Sequence, residues 1–295
     1  MRALVVAGLL AAASSVASAQ SDTDRQFEAG RSADLQNWEW RARQGVAPTE
    51  AEKAAQAVVE AIVRRDCAQA VSQLNAGLAK AHAELMLLAG AMYEDGVCLK
   101  PNWERALSFY EKAAAAGRSE AVARIAAGYA APAGGRDAAA ALWWAQKAKT
   151  ALPAACAQVG SLVDDADRFV AALKGWPAGQ LGACVYAAAV MAAIQGEVAT
   201  PDTAAAFGLQ GRVRFGFVPA QGRIDIVEEL SAAPPAAGVL ADATQRESGL
   251  RTARAALSTR LRQVADRALK RYDKPAGIDP SWQSAMTFSF ESSPR

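Results

Sequence analysis

The side chains able to do chemistry are few in this 295-residue chain. His82 is the only histidine, so it has no second imidazole with which to hold a metal. Its place at the start of a helical stretch suits a solvent-facing or capping role. Asp164 and Asp165 suggest an acid–base pair, but adjacent positions on a helix point in different directions, which favours solvation or capping. No Gly-rich phosphate loop, nucleophile elbow or metal-ligand cluster occurs. The expectation is a protein that is not an enzyme and needs no cofactor or metal.

Four cysteines remain: Cys67, Cys98, Cys156 and Cys184. An even number in an oxidising compartment favours disulfides. Three connectivities are open, and proximity in sequence favours Cys67 with Cys98 and Cys156 with Cys184. Each bridge would tie neighbouring helices and serve structure. Seven tryptophans are unusual. Trp103, Trp143 and Trp144 fit packing between helices, while Trp38 and Trp40 could form a lid in the N-terminal segment. A bound peptide would use such aromatics as anchors.

The oxidising compartment is itself an expectation from the N-terminus. Met1 and Arg2 precede an apolar run from Ala3 to Ala13, then Ala17-Ser18-Ala19. That order marks a signal peptide over 1–19, cleaved before Gln20. Export to the periplasm follows, and once Gly, Pro and charged residues are counted no later stretch is expected to be long and apolar enough to span a membrane. The net charge of +2 selects no partner class, and nucleic acid is not expected outside the cytoplasm. Hydrophobic residues make up 52% of the chain, much of it alanine, which suits close-packed helices.

These residues must be positioned by two unlike regions, after an N-terminal segment over 20–49. In the first, over 50–198, Ala106-Leu107-Ser108-Phe109-Tyr110-Glu111-Lys112-Ala113 is echoed by Ala141-Leu142-Trp143-Trp144-Ala145-Gln146-Lys147-Ala148, and Tyr93 by Tyr129. A spacing of roughly 36 residues is that of a helical hairpin, and such hairpins must stack to bury their apolar faces. Ala83, Leu88, Tyr93, Gly96-Val97, Ala106, Tyr110, Lys112-Ala113-Ala114, Gly117 and Ala121 resemble the Sel-one-like repeats, relatives of the tetratricopeptide repeat. The resemblance implies a solenoid of helical hairpins. Helices over 50–64 and about 155–195 would close it.

The second region, 199–295, changes period. Val213, Phe215 and Phe217 alternate with Arg212, Arg214 and Gly216, and Arg223-Ile224-Asp225-Ile226-Val227 returns after a Pro219–Gly222 turn. These read as a hairpin of half-buried strands. A helix over about 249–272 carries Leu250, Leu257, Leu261, Val264 and Ala268 on one face and ends before Pro275. A last strand alternates Trp282, Ser284, Met286, Phe288 and Phe290 against polar neighbours. The fold class expected overall is α+β in two domains: an α-helical hairpin solenoid, then a small three-stranded antiparallel sheet packed on one long helix.

Leu209-Gln210-Gly211-Arg212-Val213, the Gly222-Arg223-Ile224 turn and Ala268-Leu269-Lys270-Arg271-Tyr272 resemble the C-terminal domain of TonB-type proteins. Thr200 departs from that pattern, as does the long connection over 231–250. The resemblance implies docking by sheet pairing with a peptide, on outer-membrane proteins in particular. Energy transduction would need an inner-membrane anchor and a Pro-rich spacer, so protein binding is the function expected. Trp282, Met286 and Phe288 are the candidate binding residues on the last strand. The helix is also basic, with Arg251, Arg254, Arg260, Arg262, Arg267, Lys270 and Arg271. Its bland reading is a solvated face. The alternative is a cell-envelope maintenance factor that meets an anionic surface through Arg260 and Arg267. The leading expectation is a periplasmic adaptor for an envelope protein or peptide.

Overall fold

The computed structural model describes residues 49–198, 209–232 and 243–290. The signal peptide expected over 1–19, Trp38, Trp40 and Thr200 lie outside the described residues. The fold is α+β, mostly helical with one small antiparallel sheet.

Short polar residues start the helices by accepting from the first free backbone N–H groups. Thr49 does so for α1 (Glu50–Val63), in a reciprocal box with Glu52. Asp66 caps α2 (Cys67–Ala79). The next helix, α3 (Ala83–Asp95), has His82 at its cap position, but the imidazole makes no capping bond. Asn102 caps α4 (Trp103–Ala115), and α5 (Ser119–Ala130) follows. Asp137 caps α6 (Ala138–Lys147). A short turn of helix, α7 (Ala154–Ala157), leads through a 3-10 segment to α8 (Ala166–Lys174). Asp165 caps α8, with its carboxylate 3.0 Å from the Arg168 amide, so one of the paired aspartates takes the capping role. The helical segment expected over about 155–195 is thus broken into three helices, closing with α9 (Ala178–Val198).

Consecutive helices α1 to α6 pack on one another, and α9 lies against both α5 and α6. The two echoed segments both fall in helices, α4 and α6. Their matched positions Ala106 and Ala141 are buried, as are Tyr110 and Ala145. The bridges Cys67–Cys98 and Cys156–Cys184 form as sequence proximity favoured. Two disulfides fit an oxidising, extracytoplasmic location.

Helix α9 corrects one expectation. It is 21 residues long, and its most apolar window has a mean hydropathy of 1.5, enough by length and composition to cross a membrane. Here 72% of that window is buried in the protein. A helix apolar all round has no face suited to water, and this one is enclosed by α5, α6 and the C-terminal region.

That C-terminal region comprises β1 (Leu209–Val218), β2 (Arg223–Ala232), α10 (Ala243–Arg271) and β3 (Ser284–Phe290). The strand order is β2-β1-β3, antiparallel throughout. Val213, Phe215 and Phe217 point one way from β1 and are buried, as alternation requires. Ser284, Met286 and Phe288 lie opposite them on β3, and Ile224, Ile226 and Glu228 on β2. Leu257, Leu261, Val264 and Ala268 of α10 are buried in the same core. The helix begins at Ala243, earlier than its apolar periodicity indicated, and the β3 ladder begins at Ser284 rather than Trp282.

The core does not stop at the boundary near residue 199. Tyr186 of α9 meets Phe217 of β1 edge-on at 5.7 Å between centroids. Tyr272, just past α10, donates its hydroxyl to the Ala127 carbonyl at 2.9 Å. One apolar cluster therefore runs from α5 through α9 into the sheet and α10. A separate cluster holds α1, α2 and α3, built on Val58, Leu74, Leu85 and Met92.

Candidate functional site

The two strands at the edges of the sheet differ in kind. An edge strand leaves a row of backbone N–H and C=O groups free to pair with another chain, and proteins commonly guard it with charge or cover. Edge β2 carries Arg223, Asp225, Glu228 and Glu229. Arg254 of α10 also donates to its Leu230 carbonyl at 2.8 Å. Edge β3 reads Ser-Ala-Met-Thr-Phe-Ser-Phe and carries no charged residue. Among the described residues the open edge is β3.

The candidate binding residues on and beside β3 are half-buried and belong partly to the core. Phe288 packs edge-on against Phe215 at 5.6 Å, and Met286 and Trp282 lie against the same cluster. Their inward packing fixes the strand, so the side chains that β3 turns to solvent are Thr287 and Ser289. Position and register of this edge therefore come from the aromatic ladder, while its outward face is small and polar.

The basic helix is divided by its surroundings. Arg267 turns toward the helical array and pairs with Glu197 at the end of α9. Arg260 is half-buried, and its Nη1 is enclosed without a hydrogen-bond partner. Arg251 pairs with Glu247 on its own helix, whereas Arg262 and Lys270 are exposed. The arginines chosen for an anionic surface are thus the two of this group that the fold draws inward, together with Arg271.

Arg271 leads to a polar junction that sequence reasoning did not pick out. Its guanidinium bonds one carboxylate oxygen of Glu94, on α3, while stacking 5.6 Å from the Tyr272 ring. The other Glu94 oxygen accepts from the Tyr110 hydroxyl at 2.6 Å and lies 3.6 Å from Arg124 Nη1. The Glu94 side chain is only 4% exposed. Burial alone would raise its pKa, but the Arg271 and Arg124 charges, with hydrogen bonds from Tyr110 and Arg271, hold it below the ordinary carboxylate value. Burial pushes the Tyr110 hydroxyl well up, so it donates as a neutral phenol.

Glycines make room for these bulky groups. A Cβ at Gly90 would stand 2.3 Å from the Tyr110 ring, and one at Gly196 would stand 2.8 Å from Arg124 Cγ. A third at Gly128 would strike the Trp103 indole at 1.9 Å. Beside the junction is a cavity of about 250 Å³ lined by Glu94, Pro101, Asn102, Trp103, Gly128 and Arg271. Every charged group facing it is already paired, and the arrangement reads first as a rigid joint between α3, α5 and α10. The available signals were the lone charge of an otherwise apolar helix, Glu197 in α9, and the one basic residue among the alanines of α5, Arg124. Their partners lie too far away in sequence for any pattern to join them.

His82 is half-buried, with Nε2 enclosed and unpartnered. Among the described residues no group of His, Cys, Asp or Glu is placed to hold a metal ion. No family model, curated protein or solved structure matches the chain.

Proposed function

We propose that this protein is a periplasmic adaptor that binds an envelope protein or peptide, with β3 accepting a strand from its partner. The observation that carries the reading is the contrast between the guarded edge β2 and the uncharged edge β3. Strand addition draws affinity from main-chain hydrogen bonds, so a regular, unguarded edge is what it requires. The disulfides suit that compartment, and the N-terminal sequence has the order of a signal peptide. The Sel-one-like and TonB-type resemblances support the same division of labour, with the array holding one partner and the sheet another. Outer-membrane proteins are the partner class that the second resemblance suggests.

A photo-crosslinking residue placed at Thr287 should capture a discrete envelope protein in cells, and one placed at Asp225 on β2 should not. Thr287→Lys with Ser289→Lys adds charge to the open edge and should abolish capture without lowering the melting temperature. Equal capture from both edges, or capture that survives the lysines, would refute strand addition at β3.

A further inference from the structure

The two disulfides sit in opposite surroundings. Cys156 and Cys184 are both fully buried in the large core, at 0% exposure. Cys67 is exposed at the first position of α2, and Cys98 is half-buried in the loop between α3 and α4. Thiol–disulfide exchange needs in-line access of an attacking thiolate to one sulfur, so burial alone separates the two bridges kinetically.

The backbone around the exposed bridge is held in costly conformations. Cys98 itself has φ 56°, and Arg65, two residues before Cys67, has φ 61°. Left-handed backbone is unfavourable for residues with a Cβ and persists where the surroundings enforce it. The bridge joins α2 to the loop that follows α3, where Cys98 packs against the small cluster of Val58, Leu74, Leu85 and Met92. That cluster is separate from the core around Cys156–Cys184.

We infer that Cys67–Cys98 is a thiol-exchange site, a clasp on the first three helices that a dithiol reductant opens while Cys156–Cys184 stays closed. A thiolate of the dithiol attacks Cys67 Sγ, and the bond to Cys98 breaks. Cys98 leaves as a thiolate and takes up a proton. The second thiol of the reductant then attacks its own sulfur in the mixed disulfide and releases Cys67. The protein bridge gains two electrons and two protons, and the dithiol becomes a disulfide. Opening frees α1, α2 and α3 to loosen without disturbing α9 or the sheet.

The full oxidised chain is treated with dithiothreitol under native conditions, then alkylated at intervals and analysed by peptide mass. Cys67 and Cys98 should become alkylated at least about tenfold faster than Cys156 and Cys184. A short exposure to reduced glutathione should leave its adduct on Cys67. Hydrogen exchange on the half-reduced protein should rise about tenfold in α1 to α3 and hold steady in α9. Comparable reduction of both bridges, an adduct confined to Cys98, or unchanged exchange in α1 to α3 would each overturn the assignment.

Discussion

Replacing Glu94 by glutamine tests whether the polar junction holds the C-terminal helix to the array. The substitution keeps the shape of the side chain and removes its charge. Arg124 and Arg271, whose side chains are 22% and 29% exposed, then lose their shared anion. Two unit charges about 4 Å apart are worth about 4 kcal/mol at an effective dielectric of about 20. Desolvation offsets part of that, and both guanidiniums keep some contact with water. A loss of about 3 kcal/mol is expected, at the lower end of what breaking a buried pair costs.

The sign of the pH dependence follows from the lowered Glu94 pKa. A carboxyl held below its unfolded value, about 4.3, stabilises the fold above that pH. The contribution fades as the pH falls through the lower folded value. Urea unfolding at neutral pH should show the full gap between wild type and Glu94→Gln. The gap should narrow progressively as the buffer is taken below about pH 4.3. A neutral-pH difference under about 1 kcal/mol, or a gap that does not change on acidification, would refute the account of the junction.

Other positions give sharper local tests. Gly211 has φ 135°, and an added Cβ would lie 2.0 Å from the Glu229 carbonyl oxygen on β2, so Gly211→Ala should cost about 1–3 kcal/mol in urea unfolding. Asp165→Ala removes the cap of α8 and should cost about 1 kcal/mol, read as a lower thermal midpoint. Converting Cys156 and Cys184 together to serine opens a loop whose ends are 28 residues apart and buries two hydroxyls. A loss of about 3–5 kcal/mol is expected, measured by calorimetry.

Much of the local architecture was legible before any coordinates. Val213, Phe215 and Phe217 alternate in sequence and are buried together, because a strand turns successive side chains to opposite faces. The periodic Leu257, Leu261 and Val264 likewise reached the core. Asp165 was readable as a cap because its carboxylate satisfies an amide three residues away. Pairing of Cys67 with Cys98 and Cys156 with Cys184 could be favoured because each pair is close in sequence, which limits the loop to be closed. All of these depend on short separations along the chain.

The basic helix shows where local reading ends. Arg251, Arg262, Arg267 and Arg271 look alike as residues on one charged helix. Their roles diverge because α9 and α3 bring Glu197 and Glu94 to one side of α10 and leave the other side in water. The same holds for α9, whose composition suits a membrane and whose neighbours enclose it instead. Sequence alone determined the cap at Asp165, the strand alternation, the helix faces and the favoured disulfide pairing, since each is set by neighbours within a few tens of residues. Only the tertiary structure decided which arginines turn inward, that the two regions share one core, and which sheet edge stays open. Those depend on contacts between unlike elements tens to more than a hundred positions apart, such as Arg267 with Glu197 and Tyr272 with Ala127, which no short-range pattern encodes.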